Sequence, residues 1–261
     1  MKRIHRFFFS LLLVFLPTQL GYHFWPDWAT VLGRRIDYLS PTIYFTDVLI
    51  GLTLASWLFN EFSIFNSQFS IKGRNFQFSI FIFVLLFVGV NIYFAANPVI
   101  AMYKWIKVLE FVGLGYYIIK TKPTFSFVIW HLSFGILYSS LLAIAQFIFQ
   151  HSIGGPLWFL GERTFAPDTP GIARASLRQC VSASMCGEVL RAYGTFPHPN
   201  VLGGFLAVTI PLLVNLQIYK STNLQINSKI FKILKWTTIT LGSVALVLTF
   251  SRSAIVVGVV A

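Results

Sequence analysis

Arg191-Ala-Tyr-Gly-Thr-Phe-Pro-His-Pro-Asn200 closes a long polar loop and runs without a break into the apolar segment Val201 to Tyr219. A polar loop feeding directly into about 20 apolar residues is the pattern of a helix that enters a bilayer. An arginine, a glycine turn, two prolines around a histidine and an asparagine therefore stand at an expected membrane boundary. That is a suitable place to handle a charged headgroup presented by a membrane.

Composition points to the same class. Hydrophobic residues make up 56% of the 261-residue chain and charged residues only 11%, with 28 phenylalanines. A soluble domain carries roughly a quarter charged residues, so lipid is the expected solvent for much of the surface. Seven apolar windows approach spanning length: Phe7 to Trp25, Pro41 to Asn60, Phe78 to Ala96, Pro98 to Ile119, Thr124 to Phe149, Val201 to Tyr219 and Trp236 to Phe250. An eighth starts at Ala254 and meets the end of the sequence at Ala261. The expected fold is an all-α polytopic membrane bundle of about seven complete transmembrane helices plus a truncated eighth. On this view the chain is an N-terminal fragment, with a re-entrant tail as the alternative.

Lys2, Arg3 and Arg6 precede a short apolar stretch, as in a secretory signal. No small-x-small cleavage site follows; Pro17, Gln19 and an aromatic belt of Tyr22, Trp25 and Trp28 come instead, which favours an uncleaved first helix. With the N-terminus inside, the inner segments hold Lys72, Arg74, Lys120, Lys122, Lys220, Lys229, Lys232 and Lys235. The outer segments then hold Arg34, Arg35, Arg163, Arg174, Arg178, Arg191 and Arg252, and no lysine. The net charge of +12 is thus an orientation and anionic-lipid signal rather than a nucleic-acid signal, because no basic face with interleaved aromatics is offered to water.

Outer arginines run against the positive-inside trend and need another cause. Arginine presents a planar fork that binds phosphate bidentately and tolerates partial desolvation better than lysine. Ordinary ion pairs with Asp27, Asp37, Glu162, Asp168 or Glu188 account for some of them. Arg191 and Arg252 stand apart because both lie at expected helix ends. Arg252 sits in Thr249-Phe-Ser-Arg-Ser-Ala254, a tight turn on the same expected side as Arg191, where Ser251 and Ser253 can donate hydroxyls or cap the next helix.

Arg191-x-x-Gly-Thr-Phe-x-x-Pro-Asn200 before an apolar helix, followed by Thr-x-Ser-Arg-Ser-Ala at 249–254, resembles the O-antigen ligase and O-antigen polymerase-related membrane family. The specific motifs occupy 191–206 and 249–254. Leu16-Pro-Thr-Gln-Leu-Gly-Tyr-His-Phe-Trp25 and Asp37-Tyr-Leu-Ser-Pro41 are compatible with it at lower specificity. The resemblance implies a GT-C-like glycosyltransferase that uses neither metal nor other cofactor. It implies transfer of glycan from an undecaprenyl-diphosphate donor, at the outer face of the cytoplasmic membrane, to an acceptor hydroxyl on a glycan, lipid or protein. Arg191 and Arg252 then bind the diphosphate and stabilise it as it leaves. It further implies three regions: 1–150 with transmembrane helices one to five, 151–199 as an extracytoplasmic loop, and 200–261 as the start of the ligase-related domain. In the ligases the proposed base is a histidine in a large loop beyond the helices present here, so this 261-residue chain is expected to hold part of the donor site and no transferase activity.

His198 is the candidate base within the chain, weighed against ligand contact and a purely structural role. Asn200 is expected to cap the sixth helix, Gly203 and Gly204 to permit close helix contact, and Tyr193 and Phe196 to stack on sugar or anchor at the interface. Lys104, Lys107 and Glu110 follow at three-residue intervals on one helical face, so Lys107 and Glu110 can pair or line a polar cavity together with Asp47. His23 reads as interfacial, His131 as a packed polar residue, and His151 as unassigned; none has metal-ligand spacing. Cys180 and Cys186 can form a disulfide outside the cytoplasm, and residues 173–191 are compatible with a helix lying over the bundle. The alternative function is transport of a small anion such as bicarbonate through Asp47, Lys107 and Glu110.

Overall fold

The computed structural model describes residues 4–65, 74–176, 187–214 and 228–260. Cys180 and Cys186, and with them the possible disulfide, lie outside the described residues, as does Arg178. The chain divides into two compact units, Met1–Phe9 with Gly21–Lys122, and Ser10–Leu20 with Pro123–Ala261. Helix α1 (Ile4–Val14) contributes residues to both.

In the first unit, strand β1 (Gly21–His23) pairs antiparallel with β4 (Thr42–Tyr44), with Tyr22 opposite Ile43. Between them β2 (Thr30–Val31) and β3 (Arg34–Arg35) form a small hairpin. Its turn is Leu32-Gly33, both at positive φ (50° and 76°), the backbone that matches the twist of a two-residue hairpin. Helices α2 (Phe45–Phe65) and α3 (Arg74–Tyr93) each pack on α4 (Pro98–Thr121). The start of α4 is fixed by Asn97, whose side chain accepts the Ile100 N–H at 3.2 Å, and by Pro98 in the first turn. Tyr117 of α4 is buried beneath Phe9 and Trp57, and its hydroxyl meets His5 Nδ1 at 2.9 Å.

In the second unit, α5 (Phe125–Phe149) and α7 (Ser228–Leu248) run parallel: Trp130 stacks on Phe231 near their starts, and Phe147 on Phe250 near their ends. Helix α6 (Pro199–Val214) packs on both α7 and the short α8 (Arg252–Val260). Ile129, Ile136, Ala143, Leu202, Leu206 and Ala245 form the heart of this core. Gly203 lets α6 meet the α7–α8 turn closely. A Cβ there would stand 3.0 Å from Ala254 Cβ and 3.2 Å from Thr249 Oγ1, whereas nothing lies within 4 Å at Gly204. The expected close contact therefore belongs to one of the two glycines.

The expected all-α bundle of seven spans and a truncated eighth is corrected. Among the described residues two helices are long and apolar enough to cross a membrane, α5 with 25 residues and Lys229–Leu248 of α7 with 20. At 1.5 Å per residue these reach about 37 and about 30 Å, enough for a hydrocarbon core of about 30 Å. The first window fails because α1 stops after 11 residues and the chain then forms strands. The second begins in β4 rather than in a helix. The fourth is a helix, but Lys104, Lys107 and Glu110 stand close together in it. Each such charge costs roughly 2.5–3.5 kcal/mol at a bilayer centre. Helix α6 has 16 described residues with Pro211 inside it. Residues 173–191, expected as a helix, instead supply β5 (Arg174–Ser176) and β6 (Glu188–Leu190), which pair antiparallel. The result is a mainly helical chain with small two-stranded sheets, whose two apolar helices point to membrane association.

Candidate functional site

Strand β6 delivers Arg191 to the end of α7. The Ala192 N–H donates to the Leu248 carbonyl at 3.0 Å, which pins the backbone beside the α7–α8 turn. The Arg191 side chain then closes onto that turn. Its Nε donates to the Thr249 carbonyl at 2.6 Å and its Nη2 to Asn200 Oδ1 at 2.5 Å. Sequence motifs 58 residues apart, Arg191 and Thr249, thus form one structural feature in the second unit. Arg252 lies three residues along from Thr249, as the first residue of α8, with an exposed side chain.

The turn itself is tight. Phe250 has φ of 50°, Thr249 is fully buried with its hydroxyl donating to the Leu246 carbonyl at 2.6 Å, and the Ser251 carbonyl accepts the Ile255 N–H at 2.9 Å. Ser251 is buried at the start of α8.

The glycine of the Arg191 motif is held from α5. Gly194 sits at φ 59°, and Gln146 brackets its peptide by accepting the Gly194 N–H at 2.8 Å and donating to the Gly194 carbonyl at 3.0 Å. Gln146 also donates to Glu162 at 2.9 Å, and the Glu162 carboxylate accepts the N–H groups of Ile153 and Gly154 at 2.7 and 2.8 Å. Both side chains are buried, so this is a satisfied polar network inside the unit. Thr195 donates to the Pro17 carbonyl at 2.5 Å, Gln150 accepts the Leu190 N–H at 2.7 Å, and Arg163 donates to the Pro197 carbonyl at 3.2 Å. Gln146 and Gln150 were not singled out in the sequence, and Glu162, expected as an arginine partner, accepts from Gln146 and backbone N–H groups instead. Their one signal is polarity out of place: a glutamine inside an apolar run, and an acid among Gly154, Gly155 and Gly161.

His198 takes the structural role weighed for it, as the helix-entry residue, and the cap expected of Asn200 falls to it. Helix α6 begins at Pro199, so His198 is the capping residue: its Nδ1 accepts the Asn200 N–H at 3.2 Å, and its carbonyl takes the Val201 N–H at 3.0 Å. Asn200 turns its side-chain oxygen to Arg191 instead. A His198 that accepts at Nδ1 is the neutral tautomer with its proton on Nε2. Burial, then the neighbouring Arg191 charge, lowers its pKa below the ordinary histidine value, in keeping with that neutral form. Partial burial likewise lowers Arg191 from its ordinary value, though arginine stays charged in proteins. Among the described residues neither Arg191 nor Arg252 is matched by a carboxylate.

Tyr193 and Phe196 are buried, Tyr193 against Phe165 with its hydroxyl accepting the Ala173 N–H at 2.7 Å. They build the motif's floor and offer no platform for a sugar. Arg174 pairs with Glu188 at 3.3 Å, an ordinary surface ion pair. His131 caps back onto the Phe127 carbonyl within α5, and His151 is exposed.

No family model, curated protein or solved structure matches the chain.

Lys104 and Lys107 belong to the first unit. Lys104 is exposed, with its ammonium 5.2 Å from the Tyr103 ring centre. Lys107 joins Asp47 at hydrogen-bonding distance and Glu110 at 3.6 Å, and the rings of Tyr44 and Tyr103 flank it. Asp47 also accepts the Tyr44 N–H at 2.7 Å, tying α2 to β4. The expected pairing along α4 is thus extended by a carboxylate from α2. Among the described residues no three His, Cys, Asp or Glu side chains converge as a metal site would require.

Proposed function

We propose that the Arg191–Thr249–Arg252 turn binds the diphosphate of a lipid-linked glycan, and that the chain is part of a membrane glycosyltransferase of the O-antigen ligase or polymerase type. The observation that carries this reading is a partly buried guanidinium that, among the described residues, is held by two neutral oxygens, those of Thr249 and Asn200, with a second unmatched arginine at a helix start three residues after Thr249. These bonds use two of the five guanidinium donors, and among the described residues the other three have no protein acceptor, which leaves them to meet phosphate oxygens. A helix N-terminus adds N–H groups of the right polarity. In a transfer reaction, negative charge builds on the departing diphosphate, and donors already fixed in place lower the barrier. The Nε2–H of His198 supplies one more donor; because its Nδ1 is engaged as an acceptor, the ring is better suited to hold a ligand than to take a proton. The resemblance of the 191–200 and 249–254 motifs to the ligase and polymerase family supports the same reading.

Charge placement supports a site on the outer face of the cytoplasmic membrane. Helix α7 opens with Lys229, Lys232 and Lys235, and α5 is preceded by Lys120 and Lys122. By the positive-inside rule both starts favour the cytoplasm, in keeping with their parallel packing, which would send the α7–α8 turn outward. An anion pathway through Asp47, Lys107 and Glu110 is disfavoured, because two carboxylates face one ammonium and repel an anion.

Equilibrium binding of a polyprenyl diphosphate and the matching monophosphate to the full chain in micelles tests the proposal. Wild type should prefer the diphosphate, and Arg191→Ala and Arg252→Ala should each erode that preference by tenfold or more, about 1.4 kcal/mol. Equal affinity for the two lipids would reject it.

A further inference from the structure

The hairpin of β2 and β3 ends in a residue that the protein's own packing does not explain. Leu32 is 98% exposed and adopts a left-handed φ of 50°, a conformation that favours Gly, Asn or Asp at hairpin turns. A leucine there meets a steric cost and gains no burial. Val31 beside it and Trp28 just before the hairpin are also exposed. Arg34, opposite Val31, and Arg35, opposite Thr30, follow immediately, and both are exposed. Asp27 and Asp37 flank the hairpin, yet among the described residues neither pairs with these arginines; Arg35 lies over the Trp25 ring at 5.2 Å instead. The tip is therefore an apolar point backed by two cations free of internal counter-charge.

We propose that this hairpin docks on a phospholipid surface, with Leu32 and Val31 inserted among the upper acyl carbons and Arg34 and Arg35 on headgroup phosphates. Lipid fits each part of the observation. Apolar side chains at the tip gain the burial that the fold denies them. Guanidinium groups suit phosphate oxygens and remain charged at an interface. The adjoining Trp25 and Trp28 are the amphipathic rings that settle at headgroup depth. This proposal is independent of the diphosphate turn, which lies in the other unit.

The test is depth measurement on the full chain in bilayers of phosphatidylethanolamine and phosphatidylglycerol. Leu32→Cys, in a Cys180→Ser/Cys186→Ser background, carries a nitroxide whose collisions with oxygen and with a water-soluble nickel chelate are compared. Docking predicts that oxygen, concentrated in lipid, outpaces nickel at position 32. Adding Arg34→Glu and Arg35→Glu should invert that ratio, with the circular dichroism spectrum unchanged because both side chains are exposed. A label freely reached by nickel in the bilayer overturns the proposal. So does shielding from both quenchers, which marks a protein contact, or insertion that the charge reversal leaves untouched.

Discussion

Replacing Gly194 by alanine tests how the Arg191–Thr249 turn is built. The new Cβ meets two separate obstacles. Gly194 has φ of 59°, and the left-handed region costs an L-residue roughly 1–2 kcal/mol. The Cβ would also stand 2.9 Å from the Ser139 carbonyl oxygen. That oxygen is backbone within α5 and cannot swing aside, so the 191–196 segment must lift, at a cost of about 1–3 kcal/mol for overpacking. The sum is about 2–5 kcal/mol, a large share of the roughly 5–15 kcal/mol that stabilises a typical protein. Gly204, on the exposed side of α6, is the internal control, because nothing lies within 4 Å of its Cβ position. Gly204→Ala should be neutral or raise stability by up to about 1 kcal/mol through helix propensity. Thermal unfolding of both variants in micelles, followed by near-ultraviolet circular dichroism, gives the comparison. Diphosphate affinity should fall with Gly194→Ala as Arg191 is drawn off Thr249. Equal midpoints for the two variants would refute the argument that α5 sets the shape of the motif.

Further outcomes follow from the same structure. Glu162→Gln should destabilise by about 1–3 kcal/mol, because one carboxamide cannot accept from Gln146, Ile153 and Gly154 together and a part-buried N–H is left facing its NH2 group; an unchanged unfolding midpoint would count against the network. His198 has a lowered folded pKa, so the unfolded chain binds its proton more tightly. Its cap is therefore intact above the unfolded value near 6.5 and is lost as pH falls through the folded value. The stability of wild type relative to His198→Asn, which caps without titrating, should be flat above about 6.5, fall as pH drops from there through the folded value, and level off below it in a pH series of melts. Lys107→Met should destabilise by roughly 3 kcal/mol by leaving Asp47 and Glu110 facing each other, and Asp47→Asn should restore part of the loss. Additive melts for that pair would show that the triad is not one unit.

The residues of the candidate turn were picked out from the sequence, and less of the fold was. The pairing of Lys107 with Glu110 follows from helical spacing alone. The Arg191 and Thr249–Arg252 stretches stood out because each is a short local pattern. Their junction could not, since the Arg191 to Thr249 bond joins residues 58 apart. Gln146 holding Gly194 spans 48 positions, and no periodicity encodes that. Hydropathy windows overcounted spans because they add apolar residues without weighing where charge falls. Lys104, Lys107 and Glu110 interrupt α4, and the aromatic stretch 21–44, counted partly as helix, is spent on strands and turns. Asn200 illustrates a finer limit. A residue preferred at helix caps stands beside a histidine that takes the cap, which frees the asparagine oxygen for Arg191.

A double-mutant cycle on polyprenyl diphosphate affinity, with wild type, Arg191→Ala, Arg252→Ala and the double variant, tests the central claim most directly. If one diphosphate is held by both arginines, each single variant should lose tenfold or more. The double variant should then lose less than the product, with a coupling of about 0.5–3 kcal/mol. Single variants that bind as tightly as wild type, with no coupling between them, would contradict the account.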